Sequence, residues 1–216
     1  MKLLKKEFRL CMHPTGYILP LMAVLILVPG YPYGVCCFYT TMVIYFICLT
    51  ARENHDASYT LTLPVTRRDA VNARILFCTC LEAAQIVLMA LVTLAKYAIG
   101  TMANPAGLDA GLAMIGEGLL IFALFNMIFF PLYYKDINKP GAAFLIASAA
   151  VFAWIVAEIV ATYTVPFVRF RLDQPDPAYM GDKALFTAGA LALFLAGTAS
   201  AAMRSAKKFE AADLSL

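Results

Sequence analysis

Polar and apolar positions along this chain separate into long blocks rather than alternating at short period. Apolar runs cover residues 71–100, 111–134, 141–163 and 184–203. Each is long enough to cross a bilayer, since about 20 helical residues match a hydrocarbon core about 30 Å thick. Residues 17–50 hold two more spans, divided by VPGYPYG at 28–34, where two prolines and two glycines mark a tight turn. The first of these spans is expected to be short. The pattern predicts an all-α integral membrane protein with six transmembrane helices, an interfacial helix before them, and one polar insert at 51–70.

Composition sharpens this picture. The 216 residues are 62% hydrophobic and only 14% charged, where a soluble domain carries about a quarter charged residues. Basic residues then orient the spans, because Lys and Arg near span ends stay on the cytoplasmic side. With the N-terminus inside, 13 of the 17 basic residues fall on inner segments, so both termini are expected to be cytoplasmic and 164–183 to form an extracellular loop. That bias accounts for the net charge of +3 without a nucleic-acid partner. A basic start followed by an apolar run imitates a targeting peptide, but no small-x-small cleavage site follows it. The six cysteines show no metal-ligand spacing and read as small packing hydrophobes.

Two polar segments carry local signals. In KLLKKEFRLCMHP, within 1–14, Leu4, Phe8 and Cys11 share one helical face and Lys2, Lys5, Lys6 and Arg9 the rest, which suits a helix lying in the membrane interface. In the insert, Thr50 and Glu53 have capping-box spacing and could start a short surface helix, although the second span could also run on through Thr50. Pro64 breaks the helix, and Thr66 with Asp69 offers a second cap leading into the third span. The insert has about twenty residues where a handful would join two spans. Its mixed charge suits a protein surface better than anionic lipid, with a plain solvated loop as the alternative.

The stretch RENHDASYTLTLPVTRRDAVNARIL resembles the cytoplasmic segment of ABC exporter permeases of the type-2 (ABC-2) class. MKLLKKEFRL, FFPLYYKDINKPGA at 129–142 and RSAKKFEAADL at 204–214 are similar to that family's interfacial helix, its fourth-to-fifth-span connection and its charged tail. The likeness is greatest to the compact six-span branch. It implies that the insert is a coupling helix seated on a separate ATP-binding subunit. The docking face would then be Glu53, His55, Asp56 and Tyr59, with Leu63, Pro64, Arg67 and Arg68 forming the connection to the third span. It also implies a second permease copy or paralogue, a prokaryotic plasma or inner membrane, and an amphiphilic or peptide-like cargo. No phosphate-binding loop occurs in this chain, so ATP and Mg²⁺ are expected on the partner ATPase and no cofactor or metal on this chain. A non-transporting membrane interaction protein, such as an immunity or sensor subunit, is the alternative function.

Ionisable and amide side chains inside a bilayer are candidates for function or for structural pairing. They are Glu82, Gln85, Lys96, Glu117 and Glu158. Lys96 and Glu117 fall at similar depth on neighbouring spans, which predicts that they pair. In the last span Ala188, Ala192, Ala196 and Ser200 recur every four residues, a small-residue stripe expected to pack on the fifth span through Ala143, Ala147 and Ala150. His13 and His55 belong to no catalytic motif.

Overall fold

The computed structural model describes residues 2–100 and 103–212. The last four residues of the charged tail, 213–216, lie outside the described residues. The protein is 80% helical, with no strand among the described residues. Helix α1 (Lys2–Lys6) runs on as a wider π-type turn, Glu7–Cys11. Pro14 then bends the chain by 94° into α2 (Thr15–Ile18) and a 3₁₀ stretch, Leu19–Leu27. At 1.5 and 2.0 Å per residue, these thirteen residues span only about 24 Å, short of a hydrocarbon core about 30 Å thick, and the candidate spans number six only if this bent pair counts as one. Five long helices follow, with a short one, α4 (Asp56–Leu61), after the first of them. The long helices are α3 (Gly34–Glu53), α5 (Arg67–Ile99), α6 (Leu112–Tyr133), α7 (Pro140–Thr164) and α8 (Met180–Ala211). All five are long and apolar enough to cross a membrane.

The boundaries follow from local chemistry. Thr66 and Asp69 form the expected capping box: the Thr66 hydroxyl accepts the Asp69 N–H, and the Asp69 carboxylate accepts the Thr66 N–H. Gly100, at φ +73°, closes α5 in a left-handed turn that costs glycine no Cβ clash. Thr50 is not a cap. Helix α3 continues through it to Glu53, because nothing in Thr50–Glu53 breaks a helix already under way. The short helix starts instead at Asp56. Helix α8 likewise runs through the basic tail to Ala211.

Helix α6 is the spine of the bundle. It packs along most of α8 and against α3, α5 and α7, and it buries Phe122, Phe125, Phe129 and Phe130. The expected contact between the fifth and sixth spans is replaced by this α6–α8 pairing. Ala190, Phe194, Gly197 and Ala201 form the buried stripe of α8, while Ala188, Ala192 and Ala196 face outward and Ser200 lies partly buried at the edge. Gly197 lets α6 approach so closely that a Cβ there would lie 3.1 Å from the Met127 sulfur. Ala143 and Ala147 are buried, on a helix that packs against α3 and α6. The outer surface carries large apolar residues such as Leu145, Leu185 and Leu195, as contact with lipid requires.

Both described ends of the chain lie at one end of the bundle, where the Arg67 guanidinium donates to the carbonyls of Phe209, Glu210 and Ala212 at 3.0, 3.2 and 2.8 Å. We call this the terminal end. The opposite, far end is closed by the connections between α5 and α6 and between α7 and α8. There Asp176 accepts the Leu112 N–H at 3.0 Å, at the start of α6, and pairs with the buried ammonium of Lys183 at 2.6 Å.

Candidate functional site

Helix α4 has six residues, far fewer than a helix needs to persist alone in water. Its position therefore comes from what grips it. His55 precedes it in the left-handed region at φ 49°, a conformation uncommon for a residue with a side chain and held only by its surroundings. This joint turns the chain sharply off the end of α3. Two faces result: Asp56 and Thr60 point toward the bundle, while Glu53, His55 and Tyr59 are exposed.

The inward face is bound by charge. Arg74, 5% exposed and two turns into α5, donates through Nε to Glu7 of the interfacial segment and through Nη2 to Asp56 Oδ2 at 2.5 Å. Lys6 Nζ donates to Asp56 Oδ1 at 2.6 Å, to Thr60 Oγ1 at 2.7 Å and to Glu7 Oε1 at 3.3 Å. Two cations and two carboxylates thus join three elements, with the planar guanidinium fork of Arg74 and the ammonium of Lys6 each reaching both acids. Burial alone would pull the Lys6 ammonium down, but its bond to Asp56 and the charge of Glu7 hold it above its ordinary value. Phe8, on the same segment, packs edge-on against Phe77 of α5 with ring centroids 4.7 Å apart. This first helical segment is therefore braced on the bundle through both charge and aromatic contact.

This network corrects one expectation. Asp56 is not part of the outer face with Glu53, His55 and Tyr59; it turns inward because Arg74, in an apolar environment, draws both available acids. Ligand atoms of Glu7, Cys11 and Asp56 lie within 4.8 Å of one another, a spacing compatible with a metal. Both carboxylates are already paired with cations, however, and burial pushes the Cys11 thiol up to about 12, so it stays protonated at neutral pH. The donor set suits an ion-pair network better than a metal centre. Behind α4 lies a cavity of about 380 Å³, whose lining includes Tyr133, Tyr134 and Phe209 besides Glu7, Asp56 and Arg74 of the network.

The connection from α4 to α5 carries the remaining expected residues. Leu63 and Pro64 form the break, with the Val65 N–H bonded to the Leu63 carbonyl at 2.7 Å. Arg67 turns away from α4 to clamp the end of α8 and stands 5.8 Å from the Phe209 ring. Arg68 is exposed. The insert is thereby fixed at both ends, to the interfacial segment through Asp56 and to the last helix through Arg67.

The intramembrane candidates form two groups. Near the middle of α5, Glu82 Oε2 accepts from Asn126 Nδ2 at 3.0 Å, Asn126 Nδ2 also donates to Thr198 at 3.1 Å, and the Thr40 hydroxyl donates to Gln85 at 3.1 Å. Glu82 Oε1, Gln85 Nε2 and Asn126 Oδ1 are buried without a partner among the described residues. Toward the far end, Lys96 does not meet Glu117. Its ammonium donates to Tyr33 Oη at 2.6 Å and pairs with Asp109 at 3.3 Å, while Glu117 Oε1 is buried and unpartnered among the described residues. Equal depth does not place two side chains on facing sides of their helices, and Asp109 in the adjoining loop is free to come to the lysine. Glu158 reaches the far-end loop, accepting the Leu108 N–H at 2.7 Å.

Residues that carry the site and escaped the sequence reading are Lys6, Glu7, Arg74 and Asn126. Glu7 did leave a signal, as the one acid in the basic start KLLKKEFRL, and Asn126 another, as a lone amide in IFALFNMIFF. A family model described as "ABC-2 family transporter protein" matches residues 2–210. No curated protein and no solved structure matches this chain.

Proposed function

The chain belongs to the ABC-2 family of transporter proteins, and from that premise we propose that it is the permease subunit of an ATP-driven exporter. A separate subunit binds ATP and Mg²⁺, docks at the terminal end and drives a pair of permeases between inward- and outward-open states. Both termini then lie in the cytoplasm of a prokaryotic cell, with the far end outside, in accord with the distribution of basic residues.

The observation that carries this reading is α4. It offers Glu53, His55 and Tyr59 to the exterior while Asp56 ties its inner face to Arg74 and Lys6. A loop serving only as a connection has no need of a buried four-charge anchor. A helix that must transmit a push does need one, since motion of a partner on its outer face reaches α5 only through a stiff joint. Energetically, the ATPase must contact α4 differently in its nucleotide-bound and nucleotide-free forms, because only differential contact shifts an equilibrium.

The test is a charge reversal on the exposed face, Glu53→Lys combined with Tyr59→Ala, in cells expressing the chain with its ATPase. Membrane insertion should be unchanged, and copurification and permease-stimulated ATP hydrolysis should fall together by about tenfold or more, the scale of losing complementary charge and an aromatic anchor. In a cysteine-free background, Glu53→Cys should label from the cytoplasm and Tyr179→Cys from outside. Normal copurification of the double variant would favour the non-transporting reading, and reversed labelling would refute the orientation.

A further inference from the structure

Between α5 and α8 the outer surface holds a groove of about 640 Å³, with walls that include Ile86, Val87, Ala188, Leu191 and Leu195. Its volume falls in the range of small-molecule sites. Nearly all of the lining is hydrocarbon, so lipid chains alone would explain the groove but for one residue. Glu82 belongs to the inner wall and is fully buried near the middle of a 33-residue helix.

The bonding of that carboxyl is incomplete in a specific sense. Asn126 braces Oε2 from behind, and Oε1 has no donor among the described residues. The Asn126 amide oxygen beside it is also unfilled. What is missing next to Glu82 is therefore donors. Leaving a buried carboxyl oxygen unsatisfied costs several times what an ordinary surface contact contributes, and acidic groups at such depth mark sites that take a partner. Glu82 is covered in this structure, so a guest reaches it only by displacing the apolar side chains over it. Apolar walls over one buried acceptor-rich point complement a guest with an apolar body and a primary ammonium, whose three N–H groups are all donors.

We propose that the α5–α8 groove binds a membrane-dissolved alkylammonium amphiphile, its charge paired with Glu82 and its apolar body along Ile86, Leu191 and Leu195. Calling this guest a cargo rests on the exporter reading; its binding does not. Access is lateral, from the lipid, because the groove opens on the lipid-facing side of both helices.

Dicyclohexylcarbodiimide, an apolar reagent that attaches to carboxyl groups within membranes, tests this on the full chain in lipid nanodiscs without any ATPase. Mass spectrometry reads labelling at Glu82, and Glu82→Gln identifies the labelled position by removing it. Dodecylammonium should slow labelling by about tenfold or more, as one charge-assisted bond allows, and dodecanol should not. Ala188→Phe, a lipid-facing change that fills the groove, should leave the fold intact and abolish that protection. Four outcomes overturn the proposal: no labelling of Glu82 in the folded protein, equal protection by dodecanol, protection that survives Ala188→Phe, or protection without ligand that disappears as the protein is diluted in lipid. The second marks an acyl-chain groove and the fourth a contact between two copies. Since copurification of the ATPase plays no part, the site and the exporter reading fail separately.

Discussion

Arg74→Met removes the centre of the charge network while keeping an unbranched apolar stem in its place. The side chains of Arg74 and Glu7 are 7% and 4% exposed and that of Asp56 is 16% exposed. After the change, two carboxylates share the single ammonium of Lys6, at 3.3 Å from Glu7 and 2.6 Å from Asp56. Asp56 keeps its closer partner and some water, so most of the penalty falls on Glu7. Removing one partner of a buried ion pair costs about 3–5 kcal/mol, which sets the expected loss for the single variant. Adding Glu7→Gln removes the stranded charge and should recover more than half of it. Arg74→Lys keeps the charge but not the fork, and should fall between wild type and Arg74→Met. Denaturant-induced unfolding in mixed micelles gives the stabilities, and protease cleavage near Ser58 reports whether α4 has come loose. The reasoning is refuted if Arg74→Met costs less than about 1 kcal/mol, or if Glu7→Gln adds its full separate cost to that of Arg74→Met.

Two further outcomes follow from the far end of the bundle. Burial pushes the Asp173 carboxyl up to about 6, and the nearby charge of Asp109 adds to this, while the Asp109 N–H and Lys183 partly offset it. Its folded value lies above the ordinary value near 3.9, so its contribution is greatest with the proton bound and is lost as pH rises to about 6. Melting curves of wild type and Asp173→Asn should therefore diverge between pH 4 and pH 6.5, with wild type falling relative to the variant, and the opposite slope would refute the assignment. Lys96→Met and Asp109→Asn should be less than additive in protein yield and melting temperature, whereas Lys96→Met and Glu117→Gln should add, since Lys96 pairs with Asp109.

Features written in local sequence were legible. The five long spans, the break at Pro64 and the capping box at Thr66 each depend on residues close in sequence and are present, while the expected short first span is one arm of a helix pair bent by 94°. What failed to show was lateral pairing. Thr50 and Glu53 have the spacing of a cap, but a cap forms only where a helix is free to start, and α3 had not ended. Lys96 and Glu117 match in depth, yet their azimuth around their helices is set by packing that no run of residues encodes. The small residues of α8 recur correctly, but which of two neighbouring stripes is buried depended on α6 lying beside it. Asp56 turned inward for the same reason, drawn by Arg74 and Lys6, the two cations that also hold an acid near the start of the chain, Glu7.

That acid has a bearing on how the protein is made. Glu7 emerges during synthesis 67 residues before its guanidinium partner, an interval of about 3–13 s at usual translation rates. Lys6 likewise waits 50 residues for Asp56. Until the first turns of α5 are made, α4 can be held only by Lys6, through Asp56 and Thr60, and lacks its bond to Arg74. The surface assigned to the ATPase is thus completed only when the start of the chain, the insert and α5 have met. If α4 carries the proposed docking face, a chain stalled before Arg74 would present that face without its anchor, so the ion network would serve as a built-in proof of assembly as well as a joint.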